Sequence, residues 1–182
     1  MAKEVSNWKN KKPKSFYDKA VNLLGEPIFV ANVPHGMAYW KPRSGLFSEH
    51  MLKDEEIEHC VPAKHIDYFY SSVKCYVSPE LRKQVLSISG SLNYDGLKKM
   101  ITARCASMEA NIATLFLAMS VANGDMSISH VKKSGLYGKY IRGEMESHSE
   151  LKKKMMVLKK ENHNRFEKEL SQPLDQLAFP EC

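Results

Sequence analysis

The sequence predicts an α+β fold: a small mixed or antiparallel sheet packed on a long central helix, followed by a C-terminal amphipathic helix. Three observations carry this expectation. Ile101, Cys105, Met108, Ile112, Leu115, Met119 and Ala122 step by three and four through residues 94–124, an apolar stripe at helical spacing. Residues 66–77 alternate instead, with Phe69, Val73, Cys75 and Val77 on one face and Tyr68, Tyr70 and Tyr76 on the other. Strand-like segments then give way to long helical ones without a βαβ repeat, which argues against a parallel sheet.

In chain order, residues 1–14 form a flexible basic arm in which Trp8 is the large apolar residue and Lys11, Lys12 and Lys14 are candidate phosphate contacts. Residues 15–143 are expected to form the globular α+β domain. Ser15 caps a helix that buries Phe16, Ala20, Val21 and Leu24 and ends at Gly25. Residues 28–33 and 37–41 read as two strands joined by Pro34, His35 and Gly36, with Gly36 supplying a positive φ. Residues 48–60 read as a short helix capped by Ser48, and its Asp54, Glu55, Glu56 and Glu58 make the one acidic patch.

After the 66–77 strand, Ser78 and Pro79 start one helical turn, and residues 85–92 alternate again as a strand. Asn93 to Gly96 turn the chain into the central helix. Residues 126–131 return as a strand, and Gly135, Gly138 and Gly143 loosen the path from there to residue 143. Residues 144–171 form the last helix, and residues 172–182 a proline-broken tail carrying Leu174, Leu177 and Phe179.

The chain has 182 residues and a formal net charge of +6, which favours an acidic partner: nucleic acid or a ribonucleoprotein, an anionic membrane surface or an acidic protein. The opening residues lack the apolar core of a secretory signal, and the longest apolar run, 113–122, is too short to span a bilayer. Cys60, Cys75, Cys105 and Cys182 show no disulfide-like spacing, so reduced thiols in a cytoplasmic or nuclear setting, not a secreted one, are expected.

Met126 to Gly143 contains no carboxylate and carries Lys132, Lys133, Lys139 and Arg142 with Tyr137 and Tyr140 interleaved. Cations neutralise phosphates and tyrosines stack on bases, so these are the candidate nucleic-acid contacts. The stripe Leu151, Met155, Leu158 and Asn162 on the last helix is the candidate self-association seam, with Asn162 setting register.

His59, Cys60, His65 and Cys75 are the residues that would hold zinc, but their spacing matches no paired finger pattern; no metal and no cofactor are expected. A thiol triad of Cys60, His65 and Asp67 needs convergence that spacing does not supply, so no catalytic residue is assigned. The expected function is a non-enzymatic, basic assembly protein of the viral matrix or nucleocapsid-associated type. Its alternatives are an adaptor acting through the tail and acidic patch, and a thiol- or zinc-dependent enzyme using the His/Cys cluster.

Overall fold

A computed structural model describes residues 5–32, 35–60, 64–133 and 135–170. Helix α1 (Lys11–Leu24) precedes strands β1 (Phe29–Ala31), β2 (Met37–Trp40), β3 (Phe47–His59) and β4 (His65–Lys74). Helix α2 (Pro79–Leu86) leads to β5 (Leu92–Asp95) and β6 (Met100–Cys105). Four helices complete the described chain: α3 (Met108–Ala122), α4 (Ile128–Lys133), α5 (Leu136–Ile141) and α6 (His148–Leu170). The six strands make one sheet in the order β1-β2-β3-β4-β6-β5, with every pairing antiparallel. The fold is therefore α+β with a C-terminal helix, and its sheet is antiparallel rather than mixed.

One sheet face carries Leu52, Phe69, Val73, Ile101 and Ala103, all fully buried. Helices α1 and α3 cover it, α1 through Phe16 on Phe69 and Tyr17 against Trp40. Every residue of α3 from Asn111 to Ala122 is buried, because α6, α5 and α2 enclose the sides that the sheet leaves free. The opposite sheet face is polar, carrying Glu49, Lys53, Tyr70, Ser72, Thr102 and Arg104. Among the described residues no helix is long and apolar enough to cross a membrane.

The central helix is shorter than its stripe predicts. It begins at Met108, where Ser107 Oγ accepts a hydrogen bond from Ala110 N at 3.1 Å. Residues 92–105 are instead the β5–β6 hairpin, whose turn is built by Asp95 Oδ1 accepting from Leu97 N and Lys98 N. Ile101 and Cys105 are four apart, a spacing that suits a helix face and, being even, a strand face equally. Ala103, buried between them while Thr102 and Arg104 stay half-exposed, belongs to the strand pattern.

Residues 47–59 are a strand, not a helix. Its acidic residues are held by distant groups: Asp54 accepts from Lys9 N and Asn10 N at 2.7 Å each, Glu56 from Lys12 N at 3.2 Å, and Glu55 from the Tyr70 hydroxyl. The same contacts fold the predicted arm. Val5 and Trp8 are buried, and Lys11, Lys12 and Lys14 lie in the first turn of α1, so the described part of residues 1–14 is structured. The acidic patch thus meets the chain's own N-terminal segment.

Gly25 ends α1 as expected, with φ 80° and its N–H donating to Val21 O. Gly36 serves a different purpose from the one expected. Its φ is not positive; a Cβ there would sit 2.4 Å from Trp8 Nε1. Residues 85–92 contain the end of α2 and a turn in which Ser89 and Ser91 are buried. Residues 128–133 form α4, with Ser127 Oγ accepting from His130 N at 3.2 Å, rather than a returning strand. The tail, 172–182, lies outside the described residues.

Candidate functional site

Past β4 the chain runs beside α6, and Asn162 joins the two. Asn162 Oδ1 accepts from Tyr76 N at 2.5 Å and its Nδ2 donates to Tyr76 O at 2.9 Å, as a neighbouring strand would. This fixes Tyr76 against Phe166, one helical turn further along, with ring centroids 4.7 Å apart and planes inclined by 37°. Lys99 Nζ lies 5.6 and 5.7 Å from the two ring centroids, within reach of their π faces.

These groups wall a groove of about 500 Å³ lined by Lys74, Lys98, Lys99, Lys159, Tyr76 and Phe166. Lys74 Nζ donates to Lys98 O at 2.7 Å, and Lys159 Nζ to Gly45 O at 2.9 Å and Leu46 O at 3.0 Å. Burial, reinforced by the charge on Lys74, lowers the Lys159 pKa. Among the described residues Glu167 is the one carboxylate lining the groove, and its Oε1 lies 3.9 Å from His163 Nδ1. Four lysines therefore line the groove with a half-buried aromatic pair, Lys99 over the rings and Lys98 Nζ 3.8 Å from Asp95 Oδ2 at its edge.

The open sheet face forms a second concavity, about 410 Å³, lined by Glu49, Lys53, Tyr70, Ser72, Thr102 and Arg104 among others. Its groups are mutually paired. Tyr39 OH donates to Glu49, Ser72 and Thr102 hydroxyls are 2.8 Å apart, and Lys53 sits 4.7 Å from the Tyr70 ring centroid. Burial and the Glu55 carboxylate push the Tyr70 phenol up to about 12. Mixed sign and internal pairing make this face a poorer anion site than the lysine groove.

A third grouping lies where β3 and β4 meet. His59 and His65 are register partners, and Asp67, two residues on, is fully buried. His59 Nδ1 is 3.0 Å from His65 Nε2, which is 3.0 Å from Asp67 Oδ1. Ser91 Oγ donates to Asp67 Oδ2 at 3.0 Å, and Arg104 Nε is 3.6 Å from the same oxygen. Burial holds His59 below the usual imidazole range, with His65 and Arg104 adding to the effect and Asp67 opposing it.

The residues singled out in the sequence fall in different places. Lys132 and Lys133 are exposed on α4 and Lys139 on α5, while Arg142 is tied to Glu144 by hydrogen bonds of 2.5 and 3.1 Å. Tyr137 and Tyr140 are buried, Tyr137 OH 3.0 Å from Thr114 Oγ1 and Tyr140 packed on Phe116, so neither presents a face to a base. Leu151, Met155, Leu158 and Asn162 are buried within the chain's own core, which consumes the predicted self-association seam.

Cys60 is exposed, and Cys75 is buried beside Tyr76, its thiol pushed up to about 12 by burial. Neither sulfur joins the grouping that the described residues make from His59, His65 and Asp67. The lysine groove has no local signal in the sequence, because Tyr76 and Asn162 are 86 residues apart. Only the adjacent Lys98 and Lys99, beside the turn signal at Asn93 to Gly96, marked that region. Comparison with protein-family models, with curated proteins and with solved structures found no match.

Proposed function

We propose that this chain is a basic, non-enzymatic protein that binds single-stranded nucleic acid in the groove between the β5–β6 turn and α6. One observation carries the reading: Lys74, Lys98, Lys99 and Lys159 line one groove with the half-buried Tyr76–Phe166 pair, Lys99 lying over both rings. Ammonium groups release condensed counterions from phosphates, and an aromatic platform stacks a base of any identity. The net charge of +6 supports the same reading by attracting a polyanion at long range. Lys132, Lys133 and Lys139, exposed on α4 and α5, add to the positive charge but line no part of the groove.

The test is binding of fluorescent single-stranded RNA and DNA oligonucleotides as a function of salt. Lys99→Gln and Lys74→Gln should weaken binding and flatten its salt dependence more than Lys11→Gln, a change on the exposed start of α1. Equal effects from all three would leave only diffuse attraction by a basic protein. Absence of salt-sensitive binding by the full chain would remove the function altogether.

A further inference from the structure

His59, His65 and Asp67 present three metal-ligating atoms to one another within 4.8 Å. The separations are 3.0 Å between His59 Nδ1 and His65 Nε2, 3.0 Å from there to Asp67 Oδ1, and 3.7 Å between His59 Nδ1 and Asp67 Oδ2. Zinc bonds of about 2.0–2.2 Å in a tetrahedral set place neighbouring ligands roughly 3.3 Å apart. The two distances from His65 Nε2, to His59 Nδ1 and to Asp67 Oδ1, are close to that, and the approach of His59 to Asp67 is to the other carboxylate oxygen.

The surroundings are built like an outer coordination shell. Ser91 Oγ donates to Asp67 Oδ2 and lies 3.4 Å from His59 Nε2. In the tautomer with hydrogen on Nε2, His59 donates to Ser91 and turns its Nδ1 lone pair towards the cluster, the arrangement by which a second shell orients a ligating imidazole. Gly90 makes room for that ring, since a Cβ there would stand 2.8 Å from His59 Cδ2.

Asp67 supplies a second, independent sign. Its side chain is wholly buried, and Oδ1, although 3.0 Å from His65 Nε2, accepts no hydrogen bond of acceptable geometry. A buried carboxylate oxygen left in that condition is costly unless a cation meets it. Arg104 compensates part of the charge from 3.6 Å on the other oxygen, and its own Nε has no hydrogen-bond partner.

We propose that His59, His65 and Asp67 bind one divalent first-row transition ion of the zinc type. Two imidazoles and one carboxylate suit that class of ion and leave a fourth position for water or a small ligand. His65 also lines a cavity of about 330 Å³ with Tyr137 and Arg142.

The experiment titrates zinc into the metal-stripped full chain by calorimetry and counts bound zinc by elemental analysis. The expected result is about one zinc per chain. His65→Gln and Asp67→Asn should each weaken it more than about 100-fold, beyond the 10–100-fold typical of losing an outer-shell partner. Cys60→Ser, which removes the exposed neighbouring thiol, should leave it unchanged. Nitrogen NMR of the unaltered protein keeps the test independent of variant folding: zinc should shift His59 Nδ1 and His65 Nε2. Absence of binding, unshifted imidazoles, indifference to His65→Gln, or loss on Cys60→Ser would each overturn the site.

Discussion

Asn162 Nδ2 donates to Asn123 Oδ1 at 2.8 Å, pinning the middle of α6 to the C-terminal end of α3. Asn123 in turn donates to Leu158 O at 3.0 Å, and Asn162 holds both backbone groups of Tyr76. A single buried amide therefore joins α3, α6 and the groove. Asn162→Leu should destabilise the chain by roughly 3 kcal/mol, because several buried polar groups lose partners that leucine does not replace. Urea unfolding measures it; a stabilised variant would return Asn162 to the role of a register device in an oligomer.

In the groove, each neutralised lysine that contacts phosphate should flatten the log-affinity against log-salt slope by roughly 0.7 on single strands. Phe166→Ala should instead cost about 1–3 kcal/mol of binding with little change of slope. A binding titration at several salt concentrations separates the two. Loss of slope with Phe166→Ala would mean that the aromatic pair serves only to position Lys99.

His50 is 1% exposed, stacks on Phe69, and has Nδ1 3.0 Å from Ser71 Oγ. Burial, with a smaller contribution from Lys152 on α6, lowers its pKa to about 4 from an ordinary 6.5. The unfolded chain therefore binds more protons between these values. The contribution of neutral His50 is complete above about pH 6.5 and is lost as pH falls towards about 4, at most roughly 3 kcal/mol. His50→Gln should show a shallower loss of stability over that interval than the unaltered chain. Superimposable pH profiles would place the acid sensitivity elsewhere.

Gly36→Ala should destabilise by about 1–3 kcal/mol, the usual cost of overpacking. The added methyl meets Trp8 Nε1 at 2.4 Å and Asp54 Cβ at 2.7 Å, and both belong to the junction that holds α1 on β3. Tryptophan fluorescence should change with it, as Trp8 is displaced. A variant of unaltered stability and emission would show that Trp8 has room to move.

Local chemistry made part of this architecture legible. Gly25 ends α1, Ser78 and Pro79 start α2, the alternation at Phe69 and Val73 marks β4, and the all-round apolar run from Ile112 to Ala122 marks the buried helix α3. Each is a signal within a few residues, set by backbone sterics, capping or a single period. Tertiary structure decided the rest. Asp54, Glu55 and Glu56 sit on a strand because Lys9, Asn10, Lys12 and Tyr70 hydrogen-bond to them, partners that no window around residue 55 contains. The spacing of Tyr137 among cations suits stacking on a base, yet its hydroxyl meets Thr114 on α3 in the interior. His65 and Asp67 were readable as neighbours on one strand face, but His59 joins them only through the β3–β4 register. The lysine groove likewise exists only because Asn162 brings α6 against Tyr76, and hydrogen bonds across such separations leave no period in the sequence.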